Sequence, residues 1–415
     1  MDKKAVTKNY IFLGIMILAM ILGAVFGAIW PGAASAIKPL GQIFINMMFC
    51  IVVPLVFASI AGAIANTKRE RSGKILGVTI VVFIVTGAIA AFVMFALLKI
   101  FPPEISSAIV ESTTEESFEY ASIGELITNF FTSSDFVGLL SRKAMLPLIV
   151  FSVLFGFAVN ANGGIDTPVG KFLEDLSNVM LKVVQIVTYY APIAFFAIFA
   201  NLMADYGTDI FASGGQAILL YYVLCFVYIF TAFPFFARFG GGEGAIMVML
   251  KHITRPAVVS LGTCSSVATI PTNLDAAKAT GISDDVAEIV IPFGATTHMD
   301  GSCFSCVLKI AFLMTVFGQD MSWDKLPVIL LVAVLSSVGM SGVPGGGYIG
   351  EFIICSLFFA DKMDIAFPIL VAIGNIVDPP ATMINASGDY VVSFIVSRFI
   401  DGKDWLQKQL NPDKQ

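Results

Sequence analysis

Residues 294–301 read Gly-Ala-Thr-Thr-His-Met-Asp-Gly, and this polar stretch interrupts a long apolar helix predicted over about 285–317. Irregular backbone with a carboxylate and an imidazole survives at membrane depth only when it is buried in protein or lines a wet cavity. The stretch therefore indicates a polar site inside a bundle of apolar helices.

The C-terminal half contains this pattern twice, each time as a hairpin with a broken tip followed by a long helix with a polar interruption. The hairpins are predicted over 241–280 and 326–359, and the second long helix over 364–400 with its interruption at 378–389. Breaks inside the first hairpin are predicted at three places: Arg255-Pro256, 263–266 and Pro271. Interrupted segments in corresponding positions of two halves are the best sequence indication of a transporter's binding site.

The composition places most of the 415 residues in a membrane, since 57% are hydrophobic and only 13% are charged. A soluble protein of this length cannot cover its surface with so few charges. The first apolar run lacks a cleavage site, so we take it as a retained span rather than a signal peptide. The basic loop 68–74 and the acidic loop 102–125 predict a cytoplasmic N-terminus. Spans before the first hairpin are predicted at about 10–30, 43–65, 75–101, 144–159, 172–203 and 216–236.

Four ionisable side chains, those of His298, Asp300, Asp378 and Asp389, lie within predicted apolar helices. A carboxylate at mid-bilayer needs a partner, and the candidates are a bound cation, a substrate ammonium or a proton. The alternative is that each aspartate caps a broken helix through backbone N–H groups. Hard cations such as Na⁺ prefer carboxylate and carbonyl oxygens, and unwound backbone predicted over 294–300, 337–340 and 385–389 supplies both. Exposed N–H groups at the hairpin tips, by contrast, suit a carboxylate.

At these residues the chain resembles the dicarboxylate/amino acid:cation symporters, the family of the bacterial and archaeal glutamate transporter homologues. The similar pieces occur in the same order between about residues 10 and 400: Tyr190-Ala191-Pro192-Ile193, Ser265-Ser266 with Pro271, Gly294-Ala295-Thr296 with Met299-Asp300-Gly301, Gly342-Val343-Pro344-Gly345, and Asn385 with Gly388-Asp389.

The resemblance implies an all-α multi-span membrane protein with eight transmembrane helices and two re-entrant helical hairpins. It also implies a homotrimer in the inner (plasma) membrane, in contact with membrane lipid and with both termini cytoplasmic. In each subunit a scaffold holds a transport domain that slides like an elevator, with the second hairpin as the extracellular gate. The segments are 1–73 (scaffold spans 1 and 2), 74–101 (transport-domain span 3), 102–143 (extracellular acidic loop), 144–205 (scaffold spans 4 and 5), 206–400 (transport domain, from span 6 to span 8) and 401–415 (cytoplasmic tail).

The resemblance also implies three cation sites and one substrate site. The first cation site is formed by the carbonyls of Gly294 and Asn385 and by the Asp389 carboxylate. The second site is formed by the carbonyls of Thr296, Ser337, Val338 and Met340. The third site is formed by Thr86 and Asp300, with His298 beside them. The substrate site comprises Ser265, Ser266, Ser302, Val343, Gly347, Asp378, Ala381, Thr382 and Asn385. Asp378 and Thr382 face a substrate ammonium, and Asn385 faces a carboxylate. The expected co-transported ion is Na⁺, with a proton as the alternative for one Na⁺.

The substrate site departs from the family. Carriers of acidic amino acids have an arginine where this chain has Ala381, and some members have one where this chain has Cys264. Without a guanidinium a buried second carboxylate is unpaired, whereas Asp378 remains for an ammonium. The predicted substrate is therefore a small neutral amino acid such as serine, threonine or alanine. An acidic amino acid or a C4-dicarboxylate is the alternative, with Lys309 replacing the missing charge, although whether Lys309 pairs with Glu351 or snorkels stays open.

The third cation site departs as well, because His298 stands where the family has asparagine. Phe83 and Gly87 replace an aromatic hydroxyl and a serine near Thr86, so two oxygen ligands are lost. One hypothesis is that this site is vacant, or that a proton on His298 takes the cation's place, since imidazole titrates near neutral pH. The other is a neutral histidine hydrogen-bonded inside the bundle.

The predicted function is cation-coupled symport of a small amino acid, and the chain is not expected to be an enzyme. A channel or receptor without ion coupling is the second hypothesis, but the broken hairpins and dense carboxylates disfavour it. An intramembrane hydrolase would have to use His298, Asp300 and Ser302, whose spacing matches no hydrolase motif. Cys303-x-x-Cys306 lacks the second pair of a metal site. The few basic residues lie at span ends, which argues against a nucleic-acid partner.

Overall fold

The computed structural model describes residues 3–65, 71–103, 132–141, 144–206, 209–339 and 348–410. Within these ranges the chain is almost entirely helical and contains no β-strand. The first helices are α1 (Lys3–Ile29), α2 (Pro31–Ala65), α3 (Arg71–Ile100), α4 (Phe136–Leu139), α5 (Met145–Ala161), α6 (Pro168–Thr188), α7 (Ala191–Tyr206) and α8 (Asp209–Gly241). The later helices are α9 (Ala245–Thr263), α10 (Ser266–Thr280), α11 (Asp284–Thr297), α12 (Asp300–Val316), α13 (Leu326–Gly339), α14 (Tyr348–Phe358), α15 (Met363–Ile400) and α16 (Trp405–Leu410). Most of the predicted acidic loop lies outside the described residues.

Two predicted spans before the first hairpin are wrong in detail, and proline explains both differences. α2 begins at Pro31, well before the predicted start at residue 43, because proline fits the first turn of a helix, where its missing N–H is not needed. The predicted span 172–203 is two helices, α6 and α7. Pro192 cannot donate a hydrogen bond to the carbonyl four residues earlier, at Thr188, and α6 ends at that residue.

The first predicted hairpin is formed by α9 and α10, which pack against each other and are separated only at Cys264-Ser265. Cys264 has a left-handed backbone with φ of 50°, an uncommon conformation for a residue other than glycine. Ser265 caps α10, since its Oγ accepts a hydrogen bond from the Ala268 N–H at 3.2 Å. The predicted breaks at Pro256 and Pro271 are wrong, because both helices continue through these residues. Membrane helices tolerate proline where neighbours satisfy the freed backbone groups.

The first long helix breaks over only two residues, His298 and Met299, between α11 and α12. Gly294 and Thr296 lie in the last turn of α11, so the predicted unwinding over 294–300 is right only at its end. The predicted unwinding over 337–340 is likewise wrong for its first part, since α13 stays helical to Gly339. The Gly294 carbonyl accepts a hydrogen bond from the His298 N–H at 2.8 Å. The C-terminal turn of a helix leaves its last carbonyls without an intrahelical partner, so Thr296 and Ser337 can still offer backbone oxygens.

The predicted polar interruption of the last long helix is wrong, because α15 is continuous across 378–389, and the backbone at 385–389 is helical. Pro379 and Pro380 remove two backbone N–H donors there. One of the carbonyls that they leave free, that of Ile376, accepts a hydrogen bond from the Tyr222 hydroxyl of α8 at 2.7 Å. A neighbouring helix therefore satisfies the backbone at the place where the sequence pattern predicts unwinding.

The helices pack in two groups. In the first group, α2 contacts α1, α5, α6 and α7, and α1 lies along α7. In the second group, α3 packs against α11, α12, α13 and α15, and α8 packs against α15. Gly23 and Gly27 let α1 approach α7 closely, because a Cβ on either residue would overlap the backbone of Phe196 or Ala200. Asp300, His298 and Asp389 all belong to the second group.

The outer surface of the helices is rich in exposed apolar side chains, such as those of Leu18, Ile21, Val81 and Phe230. In the described part of the chain, four stretches are long and apolar enough to cross a membrane: Gly73–Ile100, Gly214–Gly241, Asp284–Val316 and Ala360–Ile400. Shorter apolar helices occur at Ile17–Ile29, Val53–Gly62, Val150–Ala161 and Ala191–Ala204. The chain is therefore a helical membrane protein with several spans.

Candidate functional site

The imidazole of His298 lies between two carboxylates from different helices. Its Nδ1 is 3.0 Å from Oδ1 of Asp389 on α15, and its Nε2 is 3.2 Å from Oδ1 of Asp300, the first residue of α12. All three side chains are buried, with exposed fractions of 1% or less. These residues, named here the histidine–aspartate cluster, join the predicted first and third cation sites.

Helix α3 forms one wall of the cluster. Oγ1 of Thr86 is 2.9 Å from Nε2 of His298. Because the Thr86 hydroxyl donates its hydrogen to the Val82 carbonyl at 3.1 Å, its oxygen is left to accept a hydrogen bond from the imidazole. The imidazole also stacks on the ring of Phe83, with ring centroids 4.4 Å apart. A predicted cation ligand, Thr86, therefore binds the histidine instead in this structure.

Two glycines make room for the cluster. A Cβ on Gly294 would overlap Oδ1 of Asp389, and a Cβ on Gly388 would lie 3.0 Å from Cε1 of His298. Gly294 therefore lets the end of α11 contact the Asp389 carboxylate. This contact brings together two residues of the predicted first cation site, whereas the Gly294 carbonyl accepts a hydrogen bond from the His298 N–H at 2.8 Å.

The cluster has more carboxylate oxygens than hydrogen-bond donors. Both carboxylate oxygens of Asp300 and Oδ2 of Asp389 are buried and have no hydrogen-bond partner among the described residues. A buried carboxylate oxygen without a partner is costly, and an ionised carboxylate can only accept. The cluster therefore offers oxygen atoms to a cation. In the described part of the chain, no group of three or more His, Cys, Asp or Glu is placed to hold a metal through side chains alone.

Asn385 caps the N-terminus of α12 from a neighbouring helix. Its Oδ1 accepts hydrogen bonds from the backbone N–H groups of Gly301 at 2.8 Å and Ser302 at 3.2 Å, and its Nδ2 donates to Oγ of Ser302 at 3.0 Å. α12 has no side-chain cap at Met299, so the asparagine of α15 satisfies the first helical donors. Two predicted substrate residues, Asn385 and Ser302, thus lie in contact, but they bind each other in this structure.

The other predicted substrate residues of α15 lie on the same side as the start of α12. The Thr382 hydroxyl donates a long hydrogen bond to Oδ1 of Asp378 at 3.4 Å. Gly301 packs so closely on Ala381 that a Cβ on Gly301 would overlap the Ala381 carbonyl. Asp378 is half-buried, whereas Thr382 and Ala381 are buried. This part of the site therefore has a carboxylate, and Ala381 contributes no compensating charge.

The hairpin tips are only partly described. Ser265 and Ser266 are buried at the start of α10. α10 is held to α15 by a hydrogen bond from Nδ2 of Asn273 to the Ala386 carbonyl at 2.7 Å. Sequence reasoning misses Asn273, although a lone asparagine in the second arm of a hairpin was an available signal. Met340, Val343 and Gly347 lie outside the described residues, as does the side chain of Val338.

Two residues of the predicted second cation site are described in full. Oγ of Ser337 accepts a hydrogen bond from the Cys303 thiol at 3.3 Å and donates to the Val334 carbonyl at 2.7 Å. The Thr296 hydroxyl donates to the Phe293 carbonyl at 3.0 Å. Both hydroxyls are therefore used within the helices, which leaves backbone carbonyls as the groups that these residues can offer.

Comparison with known proteins identifies the family. The sequence profile described as "Sodium:dicarboxylate symporter family" matches residues 12–399. The chain belongs to this family. The resemblance predicted from the interrupted helices is therefore confirmed over nearly the whole chain.

Similar proteins of the symporter family include several C4-dicarboxylate transport proteins. The protein of that name from Pseudomonas syringae pv. syringae is 25% identical over 406 residues, which cover 95% of this chain and 89% of the relative. The Acinetobacter baylyi protein is 25% identical over 99% of this chain and 96% of its own length. The Rhizobium johnstonii protein is 27% identical over 98% of this chain and 93% of its own length. All three relatives are named as transport proteins.

The geometry also argues against an intramembrane hydrolase. Both ring nitrogens of His298 face Thr86 and the two carboxylates of the cluster, whereas the Ser302 hydroxyl is bonded to Asn385. The histidine therefore does not activate this serine as a nucleophile. Cys303 and Cys306 are free buried thiols.

A second buried ion pair lies on the other side of Asp378. Nζ of Lys309 on α12 is 2.5 Å from Oε1 of Glu351 on α14, and both side chains are buried. The structure thus decides the alternative that the sequence leaves open, because Lys309 pairs with Glu351 and does not snorkel. The predicted substrate residues therefore lie between two buried sets of charges, the histidine–aspartate cluster on one side and the Lys309–Glu351 pair on the other. Each set contains both basic and acidic side chains.

Proposed function

We propose that this chain is a cation-coupled symporter that takes up a small solute bearing at least one carboxylate. The supporting observation is the histidine–aspartate cluster, in which one imidazole lies between two buried carboxylates. Both oxygens of Asp300 and Oδ2 of Asp389 have no hydrogen-bond partner among the described residues. A cation that binds there only when substrate is present couples the ion gradient to uptake. Na⁺ is the proposed ion, because hard cations prefer carboxylate and carbonyl oxygens.

The first cation site is the best supported of the three sites. In its support, Gly294 packs against the Asp389 carboxylate, whose Oδ2 has no hydrogen-bond partner among the described residues. The second site would use the C-terminal carbonyls of α11 and α13, at Thr296 and Ser337, together with those of Val338 and Met340. Carbonyls at the C-terminal end of a helix carry partial negative charge, which favours a bound cation.

In the third site, we propose that the imidazole of His298 replaces a transported cation. Its two nitrogens face Asp389 on one side and Asp300 with Thr86 on the other, and a protonated imidazole can donate to both sides. The variant His298→Asn tests whether this proton is transported. Uptake should lose part of its dependence on external pH in this variant, and identical pH profiles for wild type and variant would exclude a transported proton on His298.

Two substrate classes are candidates. The names of the relatives support a C4-dicarboxylate, and this candidate has better support than the neutral amino acid predicted from the sequence. The amino acid is kept as the second candidate because of one observation: Asp378, next to Thr382, offers a carboxylate to a substrate ammonium, and Ala381 offers no charge to a second carboxylate.

For the mechanism, we propose alternating access of the elevator type in a homotrimer. The proposal includes eight spans, two re-entrant hairpins and cytoplasmic termini. It is supported by the packing of α1, α2, α5, α6 and α7 as one group and of α3 with α8 to α15 as another. The first group would be the scaffold and the second the transport domain, in which α3 joins helices that are distant in sequence.

Uptake into proteoliposomes tests this function. Radiolabelled succinate, fumarate, malate, aspartate, serine and alanine are each offered with an inward Na⁺ gradient, an inward proton gradient or no gradient. Symport predicts accumulation of one substrate class that collapses when the gradient is removed. Equal uptake with and without any ion gradient would indicate an uncoupled channel and contradict the proposal.

A further inference from the structure

The ion pair of Lys309 and Glu351 is not explained by the proposed cation sites. Nζ of Lys309 and Oε1 of Glu351 are 2.5 Å apart, and the exposed fractions of the two residues are 2% and 1%. Replacing a buried ion pair by apolar residues is often neutral or stabilising, so burial of this pair is weak evidence for a purely structural role. A role in ligand binding therefore has to be considered.

The pair lies against α15 at the end of a polar stripe. A Cβ on Gly374 would overlap Oε1 of Glu351 and would lie 3.3 Å from Nζ of Lys309. Gly374, Asp378, Thr382 and Asn385 are spaced by four, four and three residues, so they share one face of the helix. The pair is therefore about 6 Å along the axis, or one turn, from Asp378.

The pair also has unused hydrogen-bonding capacity. Oε2 of Glu351 is buried without a hydrogen-bond partner among the described residues. An ammonium has three N–H donors, and within the described residues that of Lys309 makes one hydrogen bond, to Glu351. The ammonium can therefore bind a second carboxylate without first breaking several bonds.

Among the side chains that the structure describes, Lys309 and His298 are the two buried basic groups. His298 is held between Asp300 and Asp389. Arg398 is near the end of α15, where it donates to the Phe239 carbonyl. Of these groups, Lys309 is the one that combines burial with a position beside Asp378.

We propose that Lys309 is a specificity-determining residue, whose ammonium binds the second carboxylate of a dicarboxylate substrate. Before substrate binds, Glu351 occupies this ammonium and keeps a buried positive charge compensated. The carboxylate of Glu351 thus competes with that of the substrate for one cation. This inference rests on the proposed function and assigns its substrate class, and it explains how a site with Ala381 accepts a dianion.

The position of Glu351 connects this exchange to the second hairpin. Glu351 lies in the first turn of α14, the second arm of the predicted second hairpin. An anion that draws Lys309 away from Glu351 loosens the contact between α12 and the start of this hairpin arm. Substrates with one carboxylate do not make this exchange, so they are discriminated at the same residue.

The experiment compares two probes that differ by one charge, succinate and monomethyl succinate, by measuring both Kd values on the purified full-length protein in Na⁺. The test variant Lys309→Met with Glu351→Gln removes both charges and leaves no lone buried ion. The matched control, Arg255→Met with Asp275→Asn, removes an exposed ion pair of 3.2 Å on α9 and α10. A third variant, Glu351→Gln, frees the ammonium from its competitor.

Wild type is expected to prefer succinate by about tenfold or more, as is typical when a buried charge pair is lost. The double variant should bring the ratio of the two Kd values close to one, with the affinity for monomethyl succinate unchanged. Glu351→Gln should raise the preference for succinate by roughly threefold. The control should leave the ratio unchanged. A double variant that folds and keeps the wild-type ratio overturns the inference. The inference is also overturned if wild type binds both probes equally, or if it binds amino acids but no succinate. In either case, gradient-driven uptake would still support the proposed symport. A wild type without any gradient-driven uptake overturns the proposed function as well.

Discussion

The variant His298→Asn is expected to lower the stability of the protein and to make that stability more dependent on Na⁺. The imidazole makes polar contacts at 2.9 Å to Thr86, 3.2 Å to Asp300 and 3.0 Å to Asp389. Removing one partner of a buried ion pair costs about 3–5 kcal/mol, because the remaining charge is uncompensated. An asparagine amide restores about 1 kcal/mol by donating to one carboxylate. The expected loss is therefore about 2–4 kcal/mol.

Thermal unfolding of the purified protein, in NaCl and in choline chloride of equal ionic strength, measures this effect. A cation that binds only the folded state stabilises it by about 2.7 kcal/mol when its concentration is about one hundred times Kd. In the variant, Na⁺ compensates carboxylates that have lost their imidazole. The difference in unfolding temperature between the two salts should therefore be larger for the variant than for wild type.

The control is His252→Asn, because His252 is half-buried beside the exposed Lys251 and outside the histidine–aspartate cluster. Substitutions of this kind change stability by about 0.5 kcal/mol or less, and the salt effect should equal that of wild type. The reasoning would be refuted if His298→Asn unfolded like wild type in both salts. An equal loss in both salts would retain a structural role for the imidazole but refute the idea that Na⁺ compensates the two carboxylates once the imidazole is lost.

Two further predictions concern the backbone around the site. Gly294→Ala places a methyl group against Asp389, so Na⁺-dependent substrate binding should weaken by about tenfold or more. The control Gly215→Ala, with no atom within 4 Å of the added Cβ, should bind substrate like wild type. Equal binding by both variants would show that the first cation site does not need this contact. Tyr222→Phe leaves the Ile376 carbonyl, which Pro380 frees, without its donor. The free energy of unfolding measured by denaturant titration should therefore fall by about 1–2 kcal/mol. An unchanged midpoint would mean that the carbonyl finds another partner.

Sequence patterns predicted helix breaks correctly at two places where polar residues interrupt the apolar helices. The break at His298-Met299 and the turn at Cys264-Ser265 fall within predicted interruptions. The patterns failed at Pro256, Pro271 and residues 378–389, where the helices continue. A proline frees a carbonyl wherever it occurs, but whether the helix breaks depends on a partner for that carbonyl. At Ile376 the partner is a tyrosine of another helix, which no local pattern reveals.

The candidate site was predictable in its members but not in its contacts. Asp300, Asp389 and His298 stand out in the sequence because a charge in an apolar helix needs a partner. The sequence did not indicate that the histidine contacts both aspartates, and it did not decide whether Lys309 pairs with Glu351. Residues 298 and 389, like 309 and 351, are far apart in the chain, so only helix packing brings them into contact.

The sequence by itself determined that this chain is a helical membrane protein of the symporter family with buried carboxylates that need positive partners. These properties follow from local composition, from residue order and from the cost of a charge in hydrocarbon. Only the tertiary structure decided which positive group each carboxylate has: His298 is shared by Asp300 and Asp389, and Lys309 is bound by Glu351. The physical reason is that electrostatic compensation acts over a few ångströms of space, whatever the separation along the chain.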